Sequence, residues 1–514
     1  MKTDILVIGS GIAGCIAALS AADEGCEVTI ITKADSLISG NSPHAQGGII
    51  YKGRHDSARE LINDIMVAGD GHCEESAVVQ LGEMGAELVD KYLLERCHTE
   101  FDYTDEGELD LTAEGAHNQA RIIHCKDKTG KSIMESLVEE VEKHPNIKVM
   151  TRHMAVDLLT LSHDSTNTLD IYKNPACFGS WVLSLDTEEI FPLFAGNTIL
   201  AAGGLGQVYI HTTNPADATG DGLSIAWRAG ARCFNLQYIQ FHPTAFYNAN
   251  DRFLISESVR GEGGKLLDHK GYPFMKDFHP QGDLAPRDIV SRGIYQSMLN
   301  SGHPYVYLDI SHKPSEWLKS RFPTIYGHCL QSGIDITTEP IPVVPAAHYS
   351  CGGVGVNLNG RTSLRRLYAI GEVSCTGLHG ANRLASTSLL EGVVWGHLAG
   401  KDAAKLNEES QYFPEIYPWI KSDEHVDPAL IAQDWMRIKY TMWNYVGLVR
   451  TTARLDRANH TLRNLQNEIV EFYKKAMLTK ETVELRNGVQ SAIAITLAAS
   501  QSKVHKSGCH YLVD

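Results

Sequence analysis

Runs of apolar residues, interrupted by glycine turns, predict a parallel α/β unit at the start of the chain. Asp4-Ile-Leu-Val-Ile reads as a buried strand, the glycines at 9, 11 and 14 as a tight turn, and the apolar stretch after them as a helix running to about Gly25. Glu27-Val-Thr-Ile-Ile-Thr32 supplies a second strand. A later buried strand, Asn197-Thr-Ile-Leu-Ala-Ala, ends in the pair Gly203-Gly204, and the run Leu367-Tyr-Ala-Ile leads to Gly371-Glu372. Ala218-Thr-Gly220-Asp221-Gly222 opens a further apolar helical stretch, and Gly380-Ala-Asn-Arg-Leu-Ala turns into the helix start Ser386-Thr-Ser-Leu-Leu. From Trp435 to His505 the pattern is helical, as in Leu462-Arg-Asn-Leu-Gln-Asn-Glu-Ile-Val, with no proline.

The 514 residues, 43% of them hydrophobic, suffice for a large core shared among roughly two to four domains. With 46 basic against 62 acidic residues the net charge is −16, which argues against a general nucleic-acid or anionic-membrane surface. Any anion site is therefore a local cationic pocket. The 11 cysteines form no CxxC pair, so neither a zinc site nor an iron–sulfur cluster is expected, no metal site is assigned, and a reducing cytoplasm fits. The N-terminal apolar run is too short for a signal peptide. The longest uncharged stretch, Ile190 to Ala216, is broken by Gly196, Gly203, Gly204 and Gly206, so no membrane span is expected.

Strand before and helix after turn Gly9-Ser-Gly-Ile-Ala-Gly14 from a weak motif into a dinucleotide fingerprint, with a pyrophosphate expected at the helix N-terminus. The second strand ends in Thr32-Lys33, where the ribose-binding acid of a nicotinamide-dinucleotide site would stand. Lys33 is either a solvated charge or a contact to the nucleotide. Asn41-Ser-Pro-His-Ala-Gln-Gly47-Gly48 is a polar loop suited to close backbone approach. Asp221 either hydrogen-bonds the cofactor or caps its helix, the cap being the simpler reading. Glu372, at a strand end, is placed to accept hydrogen bonds from ribityl or ribose hydroxyls. Arg383 offers a planar fork for a carboxylate.

These ordered segments, together with Gln240-Phe-His-Pro-Thr244, Arg260-Gly-Glu-Gly263, Leu284-Ala-Pro-Arg-Asp288 and His348-Tyr-Ser-Cys-Gly-Gly-Val354, resemble the succinate dehydrogenase and fumarate reductase flavoprotein family over nearly the whole chain. The resemblance implies an α/β protein: a Rossmann-like FAD-binding domain split into residues 1–235 and 351–410, an inserted α+β capping domain at 236–350, and a C-terminal helical domain at 411–514. The cofactor contacts it implies are Gly9, Ser10, Gly11, Ile12, Ala13, Gly14, Lys33, Asn41, Ser42, Ala45, Gln46, Gly47, Gly48, Asp221, Glu372, Ser388 and Leu389. Asn41 stands where covalently flavinylated members carry a histidine, and His44 is at the wrong offset, so FAD is expected to bind non-covalently. Thr387 replaces an asparagine usual in the Ala-Ser-x-Ser-Leu-Leu turn, so one flavin contact is expected to be lost or moved. The tail Ser502-Lys-Val-His-Lys-Ser-Gly-Cys-His510 keeps a Gly-x-His but lacks the usual Glu and Arg before it.

His242, Arg287, His348 and Arg383 match the family's substrate-binding and catalytic positions, and the four would cage a dicarboxylate. Ser256 matches a hydroxyl contact to a substrate carboxylate. Arg287 matches the proton donor and acceptor, a role that calls for a desolvated site with a neighbouring cation, because free arginine has a pKa above about 12. Glu257 and Arg260 form either its proton route or a structural ion pair. Glu114 matches the acid that orients a substrate ammonium in the amino-acid-oxidising branch, whereas alone it would read as a surface acid. The resemblance thus implies oxidation of L-aspartate to iminoaspartate, with oxygen or fumarate as final acceptor. The product would feed quinolinate and NAD synthesis, with transient contact to quinolinate synthase. A sharper expectation is that Arg287 removes a Cβ proton as hydride leaves Cα. A soluble fumarate reductase, a succinate dehydrogenase flavoprotein subunit and a catalytically silent FAD scaffold are the alternatives.

Overall fold

The computed structural model describes residues 1–54, 56–248, 252–407 and 412–514. Its central sheet is built on the strand Lys2–Ile8, whose residues Ile5, Leu6 and Val7 are sealed from solvent, as expected of a parallel strand covered on both faces. On one side it pairs in parallel with Val28–Ile31, which in turn pairs with Ile147–Met150. On the other side it pairs with Ile190–Leu200, placing Ile8 opposite Leu200. That long strand has two neighbours along its outer edge. Its first half runs antiparallel to Cys177–Ser184, itself paired with His153–Thr160, while Thr198 to Leu200 pair in parallel with Leu367–Ala369. The two separated parts of the expected FAD-binding domain thus meet in one sheet.

The helix Ile12–Asp23 packs against Thr387–Leu406. Glycines make the close approach possible, since a Cβ on Gly396 would lie 2.8 Å from Ala13 O and one on Gly400 2.5 Å from Ala17 O. Packing the two helices together brings the fingerprint turn and the Ser388-Leu389 turn to one cavity.

The insertion forms a four-stranded antiparallel sheet in the order Ile239–Phe246, Ile341–Ser350, Val306–Asp309 and Lys265–Leu267, with helices Arg287–Ser301, Ser315–Arg321 and Pro323–Gln331. Antiparallel pairing of Cys233–Phe234 with Gly353–Gly355 sets its two ends side by side. The first pair of the cap sheet is irregular between His242 and Ala245, where Pro243 cannot donate to the ladder. Asp127, outside the insertion, seals the seam: its carboxylate accepts from Thr324 N at 2.8 Å, Ile325 N at 3.2 Å and Thr324 Oγ1 at 2.6 Å, at the N-terminus of helix Pro323–Gln331.

Helices Pro428–Val446, Thr452–Tyr473 and Lys480–Gln501 make up the C-terminal region, begun by the side-chain caps Asp427, Thr451 and Thr479. The expected boundary at residue 410 lies outside the described residues. The divergent tail docks firmly: Cys509 N donates to Ala381 O at 2.9 Å, and Arg450 reaches His510 Nδ1 at 2.6 Å. Among the described residues no helix is long and apolar enough to cross a membrane, and no cluster of metal-ligating side chains occurs.

Candidate active site

A cavity of about 1270 Å³ runs between the parallel sheet, the cap sheet and the C-terminal helices. One end is a cradle of backbone. Gly9 has φ +113°, and a Cβ there would strike Ala201 O at 2.2 Å. The turn is braced by Ser10 Oγ, which donates to Leu37 O at 3.0 Å, and by Ser42 Oγ, which accepts from Ile12 N at 3.1 Å. Gly9, Ser10, Gly11, Ile12 and Ala13 line the cavity. Gly14 does not: a Cβ there would lie 2.1 Å from Gly9 O, so it serves close packing of helix on strand. Asn41, Ser42, Ala45, Gln46, Gly47, Gly48, Ser388 and Leu389 continue the wall. Gln46 Nε2 donates to Leu254 O of the cap at 3.0 Å, and its Oε1 is buried with no partner. Thr387 is buried, its hydroxyl turned to Ala385 O.

Lys33 is not a solvated charge. Its Nζ lies 2.7 Å from Asp221 Oδ2 and 2.6 Å from Glu484 Oε1, the latter brought by the last long helix. Burial works to lower its pKa, but Asp221 and Glu484 outweigh that and raise it. Asp221 corrects a second expectation, since Gly220 holds the cap position of that helix, with no side-chain capping bond, and Asp221 is the helix's first residue. Its carboxylate instead accepts from Lys33, Asn487 and Thr219. Glu372 accepts from Asn41 Nδ2 at 2.8 Å and from Ser350 N at 3.1 Å. Enclosure raises its carboxyl to about 7, against which the Ser350 and Asn41 bonds act. A Cβ on Gly204 would meet that carboxylate at 2.3 Å. This cradle, with the N-terminus of helix Ile12–Asp23, the acceptor carboxylate of Glu372 and close-approach glycines, fits the pyrophosphate and polyol parts of FAD.

The other end of the cavity is a cationic chamber, where His242, Arg287, His348, Arg383, Ser256, Glu257 and Glu114 converge. The cap strand Ile239–Phe246 carries His242, whose Nδ1 accepts from Thr244 N at 3.2 Å, leaving the ring hydrogen on Nε2. Burial, followed by Arg287 and Arg260, pushes its pKa well down. His348 likewise falls well below its ordinary value through burial and then His242, and its Nδ1 sits 2.8 Å from Thr213 Oγ1. The two rings stand edge to face with centroids 5.3 Å apart. Both are neutral donors at neutral pH.

Arg287 opens the helix Arg287–Ser301, and its Nε donates to Glu257 Oε2 at 2.5 Å. Arg260, buried behind the cavity wall, approaches the other Glu257 oxygen at 3.6 Å. Burial raises the Glu257 carboxyl, but the two arginines outweigh it and hold it at about 2. For Arg287 burial lowers the pKa, and Glu257 with Glu114 raises it above the ordinary value. The expected neighbouring cation is present in Arg260, yet the carboxylate dominates, so Arg287 rests as a guanidinium.

Arg383 has no carboxylate partner among the described residues; its contacts are Leu384 O at 3.4 Å and Ser388 Oγ at 3.3 Å. Glu114 also lines the chamber, half-buried beside Gly47, its Oε2 accepting from Ser386 Oγ at 2.6 Å. Ser256 caps the short helix Glu257–Gly261 through Ser258 N while also lining the chamber. Sequence reasoning left Thr213, Asn382 and the side chain of Gln240 unassigned. Gln240 accepts from Arg287 at 3.4 Å and donates to Asn382 Oδ1 at 2.7 Å, which ties the two halves of the chamber together. Its place beside His242 in the quoted motif was the available signal; nothing local marked Thr213.

Fold and cradle together define a flavoprotein with a cationic chamber at the cap, and a family model described as an FAD binding domain matches residues 4–389. Quinol fumarate reductase FrdA of E. coli, in a mutant form, superposes with a TM-score of 0.88 at 26% identity, covering 100% of this chain and 91% of that one. L-aspartate oxidase 1 of Ralstonia nicotianae and L-aspartate oxidase of Yersinia pestis are each 42% identical to it, covering 100% of this chain and 96% of theirs. The chain belongs to the L-aspartate oxidase family and binds FAD.

Proposed function

We propose that this protein oxidises L-aspartate to iminoaspartate, with oxygen or fumarate as final electron acceptor. The observation that carries the reading is that Glu114 stands in this chamber with no arginine or lysine ion-pair partner among the described residues, whereas the other acid there, Glu257, is taken up by Arg287. A short amino diacid needs cationic donors for its carboxylates and one anion for its ammonium. Arg383 offers an unpaired guanidinium and Glu114 an anion fixed by Ser386. His242 Nε2–H and His348 add neutral donors, because burial pushes both rings well below the ordinary histidine value. Bound FAD supplies the hydride acceptor. The protein's part is to orient Cα, exclude water beneath the cap and handle protons at Arg287, whose Glu257 partner offers a path away from the guanidinium.

The contacts proposed for FAD are those in the cavity wall, with Gly14 acting through packing and Asn41 leaving the flavin non-covalently held. Iminoaspartate hydrolyses in water, which favours transfer in the cytoplasm to quinolinate synthase on the route to NAD. Anaerobic titration tests the reading. L-aspartate should bleach the visible flavin band, and bleaching by succinate but not L-aspartate overturns it in favour of a succinate or fumarate enzyme.

A further inference from the structure

The guanidinium of Arg383 is buried, 5% exposed, yet among the described residues no carboxylate hydrogen-bonds or ion-pairs with it. Its Nε has no hydrogen-bond partner. A bare buried cation is costly unless something nearby offsets its charge. The offset lies on the face away from the hydrogen-bonding edge. The Arg383 Cζ sits 4.5 Å from the centroid of the Tyr349 ring. The Tyr349 hydroxyl then donates to Glu391 Oε2 at 2.9 Å, and Glu391 is 1% exposed.

We propose that Tyr349 and Glu391 are positioning residues that serve as a displaced counter-charge for Arg383, keeping its guanidinium clear of a competing carboxylate so that a substrate carboxylate can take that place. The inference rests on the reading of Arg383 as a carboxylate-binding residue. A carboxylate in direct contact would occupy the guanidinium fork and compete with substrate. Passed through a phenol, the same negative charge enriches the π face beneath the cation and leaves the fork open. The anion is built to stay ionised: Thr376 Oγ1 donates to Oε1 at 2.8 Å, and His379 Nε2 lies 2.8 Å from Oε2. Burial raises the Glu391 carboxyl, but His379, Thr376 and Tyr349 prevail and lower it. Burial and then Glu391 hold the Tyr349 phenol well above its ordinary value, so it remains a donor.

The test uses the full FAD-loaded chain and its Tyr349→Phe, Glu391→Gln and doubly substituted forms. Succinate is titrated against the flavin absorption band to give a dissociation constant, and thermal unfolding is followed in parallel. Each single substitution should weaken succinate binding about five- to tenfold, less than the about thirtyfold scale of a whole desolvated cation–π contact, because the ring itself stays in place. The double variant should bind no more weakly than either single one, because both act through one relay. Unchanged succinate binding in Tyr349→Phe overturns the inference, as does strict additivity of the two substitutions. A loss of thermal stability without a change in affinity marks a structural role and also overturns it. Should Glu391→Gln not fold, Tyr349→Phe decides alone, since it keeps the ring and removes only the hydroxyl. Wild-type protein that binds no succinate would instead refute the reading of Arg383 itself.

Discussion

Arg287 Nε and Glu257 Oε2 stand 2.5 Å apart, with the side chains 10% and 7% exposed. The carboxylate holds Arg287 charged and aimed into the chamber. Glu257→Gln should therefore lower kcat/KM on the order of 100-fold with the FAD spectrum intact, since one partner of a buried pair is left uncompensated. Steady-state kinetics on the flavin-loaded variant checks this.

Whether the pair also moves a proton is open to a separate measurement. If Arg287 takes a proton from Cβ as hydride leaves Cα, L-aspartate deuterated at Cβ should slow single-turnover flavin reduction by a factor of about two or more. No isotope effect confines Arg287 to binding and charge stabilisation.

Glu114 should separate amino diacids from plain ones. Glu114→Gln should raise KM for L-aspartate about tenfold or more while leaving succinate inhibition unchanged or stronger, because succinate lacks the ammonium that the carboxylate attracts. Equal losses for both ligands would assign Glu114 to folding of its loop.

Glu372 makes the FAD-free protein pH-sensitive. Its folded carboxyl is raised to about 7 against an ordinary 4.5, so the folded state holds the proton longer than the unfolded one. This contribution to stability is fully present below pH 4.5 and is lost as pH rises towards about 7. Glu372→Gln should remove that component, seen as a smaller difference in Tm between pH 5 and pH 8 for the apoprotein.

Removal of FAD should lower Tm, because a ligand at 100 times its Kd adds about 2.7 kcal/mol to the folded state. Lys33→Met should shrink that FAD-dependent shift. Glu484→Gln should shrink it less, provided that Lys33 keeps Asp221. Equal Tm with and without FAD in wild type would contradict the assignment of the cradle.

Much of the architecture was legible because it is local. Strand, glycine turn and helix at residues 4 to 23 follow from periodicity and backbone freedom, and the C-terminal helices follow from their apolar pattern and lack of proline, although their caps showed only in the structure. Asp221 and Lys33 were misjudged or left open for the opposite reason. Glu484, which fixes the role of Lys33, lies 451 positions away along the chain. The relay from Arg383 through Tyr349 to Glu391 was equally hidden, since cation–π contact and burial are tertiary facts. The motif around Arg383 was visible, but the reason it needs no acid beside it was not.

The strand Ile190–Leu200 takes its last neighbour from Leu367–Ala369. During synthesis the far end of that strand, backbone amides and carbonyls included, waits as an open edge while the whole cap is translated. The cap is therefore translated before its host sheet can close, and a chain halted anywhere between residues 201 and 366 leaves that edge unpaired and open to other chains.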